Sequence, residues 1–241
     1  LIKGERLSPG EFGIMHGYMQ VPELKKVCHQ YGVSINEYLV GVFVWSVYRE
    51  CMHGMPSDKP VRVAVPVNLR PYFNSITTKN FFVMVSAEFH PVEEEYAFEE
   101  VLAIVRDSLK QQINKENLER LFSYNVSNEK ILVARAAPLL IKNIAMRAVY
   151  TQSALANTST ITNIGNITVD DVYKPYVEMF HSCLAMSKGQ HIKGNICSYG
   201  STLVFSFSYD LADASVQRGF FRKIAEDGVS VEIESNGVNY E

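Results

Sequence analysis

The stretch that decides the fold is Thr158-Ser-Thr-Ile-Thr-Asn-Ile-Gly165. Its β-branched residues favour a strand, and the glycine favours an end to it. Strand alternation divides the side chains between two faces of a sheet: Thr158, Thr160 and Thr162 on one, and Ser159, Ile161 and Asn163 on the other. Such a row of hydroxyls is most often an ordinary polar face. It can also line a channel in which hydroxyl and amide donors stabilise an oxyanion.

A second informative stretch is Leu203-Val-Phe-Ser-Phe-Ser-Tyr-Asp-Leu-Ala-Asp213, which predicts a strand and a tight acidic turn ahead of a helix. Asp210 favours the turn and Asp213 the start of the helix, because short acidic side chains accept hydrogen bonds from nearby backbone amides. The helix is predicted over Ala214–Glu226 and is closed by Gly228.

The first part of the chain contains a helix that is apolar nearly all round. Ser34-Ile-Asn-Glu37 is a capping box, in which the Ser and Glu side chains satisfy backbone amides at a helix start. The helix is predicted from Ile35 to about Met52. A helix with so little polar face must be covered on several sides, so we expect it to have neighbours on more than one flank. A shorter helix, from Pro22 to Gly32, is predicted just before it.

Period-two patterns predict the other strands, and apolar residues at helical spacing predict the other helices. The strands are Ile14–Gln20, Pro60–Val67, Phe81–Phe89, Thr158–Ile164, Val177–Met186, Ile192–Tyr199, Leu203–Tyr209 and Val231–Ile233. The helices are Phe98–Leu118 and Ile131–Tyr150, the second kinked or split by Pro138. We therefore predict an α+β fold, with a mixed, largely antiparallel sheet of about six strands and helices packed on one face. Residues 1–20 are expected to form a linker or crossover segment, and residues 21–241 a single domain.

Composition excludes several classes of protein. The 241 residues carry 23 Lys and Arg against 26 Asp and Glu, a formal net charge of −3, and no basic stripe, so we expect no nucleic-acid partner. The longest apolar run, Tyr38–Tyr48, is too short to span a bilayer. Dispersed cysteines without a Cys-x-x-Cys pair fit reduced thiols and a cytoplasmic location. Because the chain begins with Leu1 rather than Met, we expect a fragment of a longer protein.

No residue spacing is typical of a metal site or of a self-sufficient hydrolase. The six His stand alone, with no two at i,i+4 spacing, so we expect no metal. Cys51-Met-His53 would lie at a helix end, where side chains two positions apart point about 200° apart and cannot form a nucleophile–base pair. A Gly-x-Ser-x-Gly elbow and a phosphate-binding loop are missing from the sequence. A Cys or Ser hydrolase therefore has no support from spacing.

Taken together, these segments resemble the C-terminal half of the chloramphenicol-acetyltransferase-like acyltransferases, which include peptide-synthetase condensation domains and alcohol acetyltransferases. Thr160-Ile-Thr-Asn-Ile-Gly165 resembles the acyltransferase-core pattern T-I-S-N-x-G. The segment Ser206–Asp213 resembles the strand and turn of the D-H-R-x-x-D-G region. Ser34-Ile-Asn-Glu-Tyr-Leu39 is similar to a helix start of condensation and alcohol-acetyltransferase domains. Val65-Pro-Val-Asn-Leu-Arg70 and Asn80-Phe-Phe-Val-Met84 match a strand end and the strand that follows it.

The resemblance implies a CoA-dependent acyltransferase of the alcohol O-acetyltransferase type. This chain would form one wall of a channel in which acyl-CoA, a substrate rather than a bound cofactor, meets a small alcohol or amine. Thr162 and Asn163 would be the catalytic donors to the oxyanion or substrate. Other substrate contacts would come from polar and basic side chains: Thr160, Arg70, Lys188, His191 and Lys193, the last three toward CoA phosphates. For Arg70 the simpler interpretation is structural: it would tie its loop to an acidic partner. For Lys188, His191 and Lys193 the simpler interpretation is a solvated turn.

The chain departs from the family where the general base is expected. Enzymes of this kind use a His of an H-H-x-x-x-D motif as the general base that activates the acceptor. In this chain His90 is followed by Pro-Val-Glu-Glu, and the D-H-R position near Asp210 reads Leu211-Ala212. Without a base, attack on a thioester slows by about 10²–10⁴-fold. We therefore expect the catalytic His on a missing N-terminal half, and no activity from this chain alone.

An alternative is a degenerate acyltransferase fold that serves as a binding or assembly module without chemistry. Either way, a surface made to meet a missing half would be apolar and exposed. We therefore expect a homodimer or limited solubility for the chain as a fragment.

Overall fold

The computed structural model describes residues 2–130 and 138–238. The described residues form a seven-stranded sheet in the order β3-β2-β4-β5-β6-β1-β7. The strands are β1 Gly13–Gln20, β2 Val61–Asn68, β3 Phe82–Phe89, β4 Ser159–Asn166, β5 Ile192–Tyr199, β6 Thr202–Tyr209 and β7 Val231–Ser235. The helices are α1 Val21–Tyr31, α2 Ile35–Cys51, α3 Arg70–Phe73, α4 Phe98–Gln112, α5 Lys115–Lys130, α6 Leu139–Leu155 and α7 Ser215–Glu226.

The predicted α+β class and the mixed, largely antiparallel sheet are confirmed. The β2–β4 and β4–β5 pairs are parallel, and the other neighbouring pairs are antiparallel. The sheet has seven strands in the described part of the chain, rather than about six. β1 belongs to this sheet between β6 and β7, although it lies within residues 1–20. The domain boundary at residue 20 stays a prediction.

The predicted strand over Val177–Met186 is wrong. These residues belong to an irregular segment, residues 177–190, which we call the strap. The strap lies across the sheet: the Cys197 thiol donates to the Phe180 carbonyl at 3.2 Å, and the Ser182 hydroxyl donates to Asn195 Oδ1 at 2.5 Å. Both edges of β5 and of β6 are already paired, so the alternating pattern of this segment finds no free edge there.

Two helix predictions also need correction. The helix predicted from Phe98 to Leu118 is divided, because α4 ends at Gln112 and α5 begins at Lys115. Of the helix predicted over Ile131–Tyr150, residues 131–137 lie outside the described residues. The described remainder, α6, begins immediately after Pro138, a position compatible with the missing backbone amide of proline.

Helix α2 lies at the centre of the fold. Its capping box is formed as predicted, with the Ser34 amide donating to Glu37 Oε2 at 2.7 Å and the Glu37 amide donating to Ser34 Oγ at 3.2 Å. The helix contacts β2, α4 and α7. A Cβ on Gly41 would lie 2.5 Å from Leu102 Cδ1, so a larger residue there would displace the Leu102 side chain at the contact of α2 with α4. Helices α2, α4 and α7 therefore cover one face of the sheet.

One polar side chain is buried in this core without a hydrogen-bond partner among the described residues. Gln217 of α7 is fully buried, and neither its Nε2 nor its Oε1 has a hydrogen-bond partner among the described residues. A buried amide without partners carries a desolvation cost of about 1–3 kcal/mol. We predict that Gln217→Leu raises the free energy of unfolding by about 1–2 kcal/mol, measured by urea denaturation. Gln111→Leu, at an exposed position of α4, is the control and should change the free energy of unfolding by less than about 0.5 kcal/mol. A destabilised Gln217→Leu variant would contradict the prediction.

Helix α6 stands out from the body of the fold. Its exposed large apolar side chains are Leu139, Leu140, Ile141, Ile144, Met146, Val149, Tyr150 and Leu155. In the described residues, no helix combines the length and apolar content needed to cross a membrane. The patch on α6 is nevertheless much larger than the scattered apolar side chains of an ordinary monomer surface.

We predict that the isolated chain self-associates through α6. Light scattering should give a mass that rises with concentration, and replacing Ile141 and Ile144 together by Glu should reduce the association. Ile76→Glu is the control, because Ile76 is 97% exposed but lies outside this patch. A strictly monomeric chain at high concentration would count against the prediction.

Candidate active site

The hydroxyl side chains of β4 divide between the two faces of the sheet as predicted. Ser159 and Ile161 are fully buried toward the helices, whereas Thr160 and Thr162 lie on the opposite face and are partly exposed. The Thr160 hydroxyl donates to Gln190 Oε1 at 2.9 Å. Thr162 has no hydrogen-bond partner in the described part of the chain. It therefore offers a donor that the fold leaves uncommitted.

Asn163 follows Thr162 but points away from it. Its Nδ2 donates to Asn36 Oδ1 at 3.3 Å, and its Oδ1 accepts from the Gly165 amide at 2.8 Å. The register of β4 with β5 shifts between Asn163 and Gly165, and Gly165 has φ +85°, which favours glycine. The amide of Asn163 thus fixes the end of β4. The structure does not bring it onto the face that carries Thr162.

Polar side chains form a row across five strands on the face turned away from α2, α4 and α7. The strand register places these residues side by side: Thr162, Asn195, Ser206, His16 and Glu234. His16 Nδ1 and Ser206 Oγ are hydrogen bonded at 2.7 Å. We call this set the polar row. It connects the β4 hydroxyl to a histidine cluster on β1 and the strap.

That histidine cluster contains His16, His181, Tyr18 and Glu234. The His16 and His181 ring centroids are 4.5 Å apart, and His181 Nε2 lies 2.9 Å from the Tyr18 hydroxyl, which donates to Glu234. Burial, and then the neighbouring His181, lower the pKa of His16. Ser206 is 1% exposed, so its hydroxyl is not an accessible nucleophile for His16 to activate.

Sequence reasoning missed this cluster. Its members lie far apart in the chain: the His16–Ser206 bond joins residues 190 positions apart, and the Tyr18–His181 bond joins residues 163 positions apart. The available signal was the alternation of β1 and β6, which places His16 and Ser206 each on the polar face of its strand. Only the register between the strands brings them into contact.

The basic residues predicted to meet CoA phosphates are not equivalent. The Lys193 side chain is buried, and its Nζ donates to the Ala185 carbonyl at 2.8 Å and to the Ser187 hydroxyl. Burial lowers the pKa of Lys193. His191 Nδ1 lies 2.8 Å from Asp210 Oδ1. Lys188 is exposed in the turn that ends the strap, so the three residues do not converge on one ligand.

Arg70 ties its loop together, although not through an acidic partner. Its guanidinium donates to the Thr77 carbonyl at 2.8 Å, the Lys79 carbonyl at 2.6 Å and Asn68 Oδ1 at 3.1 Å. The expected acidic partner is therefore replaced by carbonyl oxygens. These bonds connect the end of β2 with the chain that leads into β3.

The cysteines are not activated. Burial raises the pKa of the Cys28 thiol to about 12 and that of the Cys51 thiol to about 11. A thiol is a poor nucleophile when its pKa lies so far above neutral pH. In the described ranges, no three His, Cys, Asp or Glu side chains are placed to hold a metal ion.

Two openings adjoin the Thr160 end of β4. A cavity of about 180 Å³ is lined in part by Thr160, Asn157 and Met84. A larger groove of about 390 Å³ shares Asn157 and is lined also by Lys59 and Arg62. Arg62 pairs with Glu88 at 2.9 Å. The Thr160 hydroxyl of β4 therefore lies beside open space, whereas Thr162 belongs to the lining of neither opening.

The lowered pKa of His16 makes stability depend on pH. The folded chain disfavours protonated His16, so the unfolded chain binds more protons as the pH falls below the ordinary His value of 6.5. We predict that the free energy of unfolding decreases between about pH 7.5 and about pH 5.5, and that His16→Gln flattens this decrease. Urea titrations at both pH values test it, with the exposed His29→Gln as control. If the free energy of unfolding depended equally on pH in the two variants, the assignment to His16 would be wrong. The pH dependence would then come from the other titratable groups that face this cluster, His181, Glu232 and Glu234.

The fold matches those of solved proteins. No family profile and no curated protein matches the sequence. The nonribosomal peptide synthetase FmoA3 matches with a TM-score of 0.59 and 16% identity, over 94% of this chain and 22% of its own. TRI101 of F. sporotrichioides, complexed with coenzyme A and T-2, matches with a TM-score of 0.58 and 12% identity, over 94% of this chain and 53% of its own. The wax ester synthase/diacylglycerol acyltransferase of Marinobacter aquaeolei VT8 matches with a TM-score of 0.51 and 13% identity, over 93% of this chain and 51% of its own.

At these identities the likeness concerns the fold. The chain spans 53% of TRI101, 51% of the wax ester synthase and 22% of the peptide synthetase. The resemblance found in the sequence is confirmed at that level: the chain shares its fold with about half of TRI101 and of the wax ester synthase/diacylglycerol acyltransferase, and with part of the peptide synthetase.

Proposed function

We propose that this chain is the C-terminal half of a CoA-dependent acyltransferase of the alcohol O-acetyltransferase type, in the cytoplasm. It forms one wall of a channel in which acyl-CoA meets a small alcohol or amine. Acyl-CoA is the substrate and leaves as CoA. The general base belongs to an N-terminal half of the same protein.

The observation that carries this proposal is the uncommitted hydroxyl of Thr162. It lies on the polar face, is partly withdrawn from water, and has no partner in the described residues to compete for its proton. A preorganised donor in such surroundings stabilises a developing oxyanion without reorganising at the moment of reaction. Thr160, two residues earlier, lines an opening in which a substrate can lie.

The reaction follows from these roles. The base removes the proton of the acceptor hydroxyl or amine, and the acceptor oxygen or nitrogen attacks the thioester carbonyl carbon. The carbonyl oxygen becomes an oxyanion, to which Thr162 donates a hydrogen bond. The intermediate then expels the CoA thiolate, which takes up the proton held by the base. Asn163 positions the end of β4 through Asn36 and Gly165.

The base is assigned to the missing half because, in the described residues, the imidazole of the polar row is out of reach of Thr162. His16 is the imidazole in the polar row, and β1 is three strands from β4, about 14 Å at the usual strand spacing. A general base must lie within hydrogen-bond distance of the proton it removes, directly or through one water. The coverage of only about half of TRI101 and of the wax ester synthase is consistent with a second half.

Of the basic residues, Lys188 and Lys59 are the better candidates to meet CoA phosphates. Lys188 is exposed beside Gly189, which lines the larger groove together with Lys59. Lys193 holds the strap, and Arg70 holds its loop, so both support the site from a distance under this proposal.

The test uses the full-length protein and measures thiol release from acetyl-CoA with short alcohols. We predict that Thr162→Ala lowers kcat by about 10²–10³-fold, the loss typical of a missing oxyanion donor. Thr168→Ala is the matched control, because Thr168 is an exposed threonine just after β4 and should retain full activity. Thermal unfolding establishes that both variants are folded.

Three outcomes oppose the proposal. The first is full-length protein that releases no thiol with any acyl-CoA. The second is a Thr162→Ala variant as active as Thr168→Ala. The third is an N-terminal half without the H-H-x-x-x-D motif, which would favour the non-catalytic binding or assembly module.

A further inference from the structure

The strap ends in a tight turn whose first residue is a partly exposed serine. The turn runs from Ser187 to Gln190, with φ +79° at Gly189, and the Gln190 backbone amide donates to the Ser187 carbonyl at 3.1 Å. Ser187 also belongs to the lining of the smaller opening, which has a volume of about 180 Å³. A molecule in this opening would therefore contact Ser187.

The Ser187 hydroxyl is bonded to the amine of a buried lysine. Lys193 is 7% exposed, and its Nζ is hydrogen bonded to Ser187 Oγ and, at 2.8 Å, to the Ala185 carbonyl oxygen. No carboxylate pairs with Lys193 in the parts of the chain that the structure describes. A serine that lines a cavity and is hydrogen bonded to a buried amine has the geometry of a Ser–Lys nucleophile–base pair.

The surroundings of Lys193 favour its neutral form. Burial lowers the pKa of the amine, because a cation that has lost its water and has no acidic partner is destabilised. The nearest titratable groups along the strap, β5 and β6 are Cys183 and Lys188, which are exposed, and His191 and Asp210, which are bonded to each other. A neutral amine still donates to the Ala185 carbonyl and offers its lone pair to the proton of the Ser187 hydroxyl.

We propose that Ser187 and Lys193 form a nucleophile–base pair that hydrolyses carboxylic esters or thioesters in this opening. Lys193 takes the Ser187 proton as Oγ attacks the acyl carbon, and the leaving alcohol or thiol takes up that proton as its bond to carbon breaks. A water molecule then attacks the acyl-serine and gives a proton to Lys193, which returns it to Ser187 Oγ as the carboxylic acid leaves. Asn157 and Gln190 line the same opening, and side-chain amides are donors of the kind that stabilise an oxyanion.

This pair is separate from the proposed acyltransferase chemistry, because neither Thr162 nor a second half takes part in it. Sequence motifs did not reveal it, since the two residues lie six positions apart, one in a turn and the other in β5. They meet because the strap folds back over the polar face of the sheet, where Lys193 is buried beneath it.

Covalent labelling of the full-length protein with a fluorophosphonate tests for an activated serine. The serine Oγ forms a bond to phosphorus as fluoride leaves, and Lys193 takes the proton. Peptide mass spectrometry should find the adduct at Ser187 and not at Ser201, an exposed serine in the turn between β5 and β6. The rate of labelling should rise with pH as Lys193 loses its proton, with a midpoint below the ordinary lysine value of 10.5.

Three variants address the pair, with p-nitrophenyl acetate as the ester. Ser187→Ala should remove the hydrolysis that the fluorophosphonate inhibits, whereas Ser201→Ala should retain it. Lys193→Arg keeps a cation that can donate to the strap but cannot accept a proton, so labelling of Ser187 should slow by about 10²-fold or more. Lys193 is buried, so thermal unfolding must first establish that the arginine variant is folded; the pH dependence of labelling in the unaltered protein decides if it is not.

Four outcomes overturn the proposal and leave Lys193 as an anchor of the strap. They are the lack of an adduct at Ser187 between about pH 7 and about pH 10, equal labelling of Ser187 and Ser201, a labelling rate that does not change with pH, and a folded Lys193→Arg variant labelled as fast as the unaltered protein.

The two proposals fail separately. Acetyl transfer to an alcohol without an adduct at Ser187 would remove the nucleophile–base pair and leave the acyltransferase function in place. An adduct at Ser187 without acetyl transfer would remove the acyltransferase function and leave the pair.

Discussion

The burial of α2 is the constraint on which the rest of the structure depends. Ten of its seventeen residues are buried, and they occur all round the helix, so it has to be covered from several sides at once. Helices α4 and α7 cover two sides of α2. The sheet covers a third side, where Phe43 of α2 packs against Phe207 of β6. Each central strand therefore turns its apolar residues toward α2. Strand alternation then leaves every other side chain for the opposite face, where they are mostly polar.

On that opposite face, the strap supplies hydrogen-bond partners to polar side chains that it covers. Asn195 and Lys193 are buried beneath it, and each is hydrogen bonded to a strap residue. An unpaired polar group in the same position would cost free energy comparable to the loss of a hydrogen bond or more. β4 lies at the margin of the strap, which reaches Thr160 through Gln190. Thr162, one position further on this face, is left without such a partner.

Local signals predicted most of the elements. The capping box at Ser34 and the left-handed Gly32 after α1 depend on neighbouring residues, and the faces of β4 depend on alternation alone. The strap could not be predicted in this way, because its alternating pattern is also that of a strand. What excluded it from the sheet is the pairing of β5 on both sides, by β4 and β6, a property of the whole topology. The resemblance of β4 to an acyltransferase pattern predicted the fold correctly without specifying what Asn163 contacts.

The same topology bears on how an acyl group could be transferred without loss to water. A transferase has to exclude water from the thioester, yet Thr160 of β4 lines an opening in this chain. The exposed apolar side chains of α6 include Tyr150, which lines the smaller opening. A second half that packed on α6 would bury this apolar surface and cover the openings in one step. Under the proposed function, the surface that brings the base would thus also dry the site, so Thr162 would become a strong donor only when the base is in place.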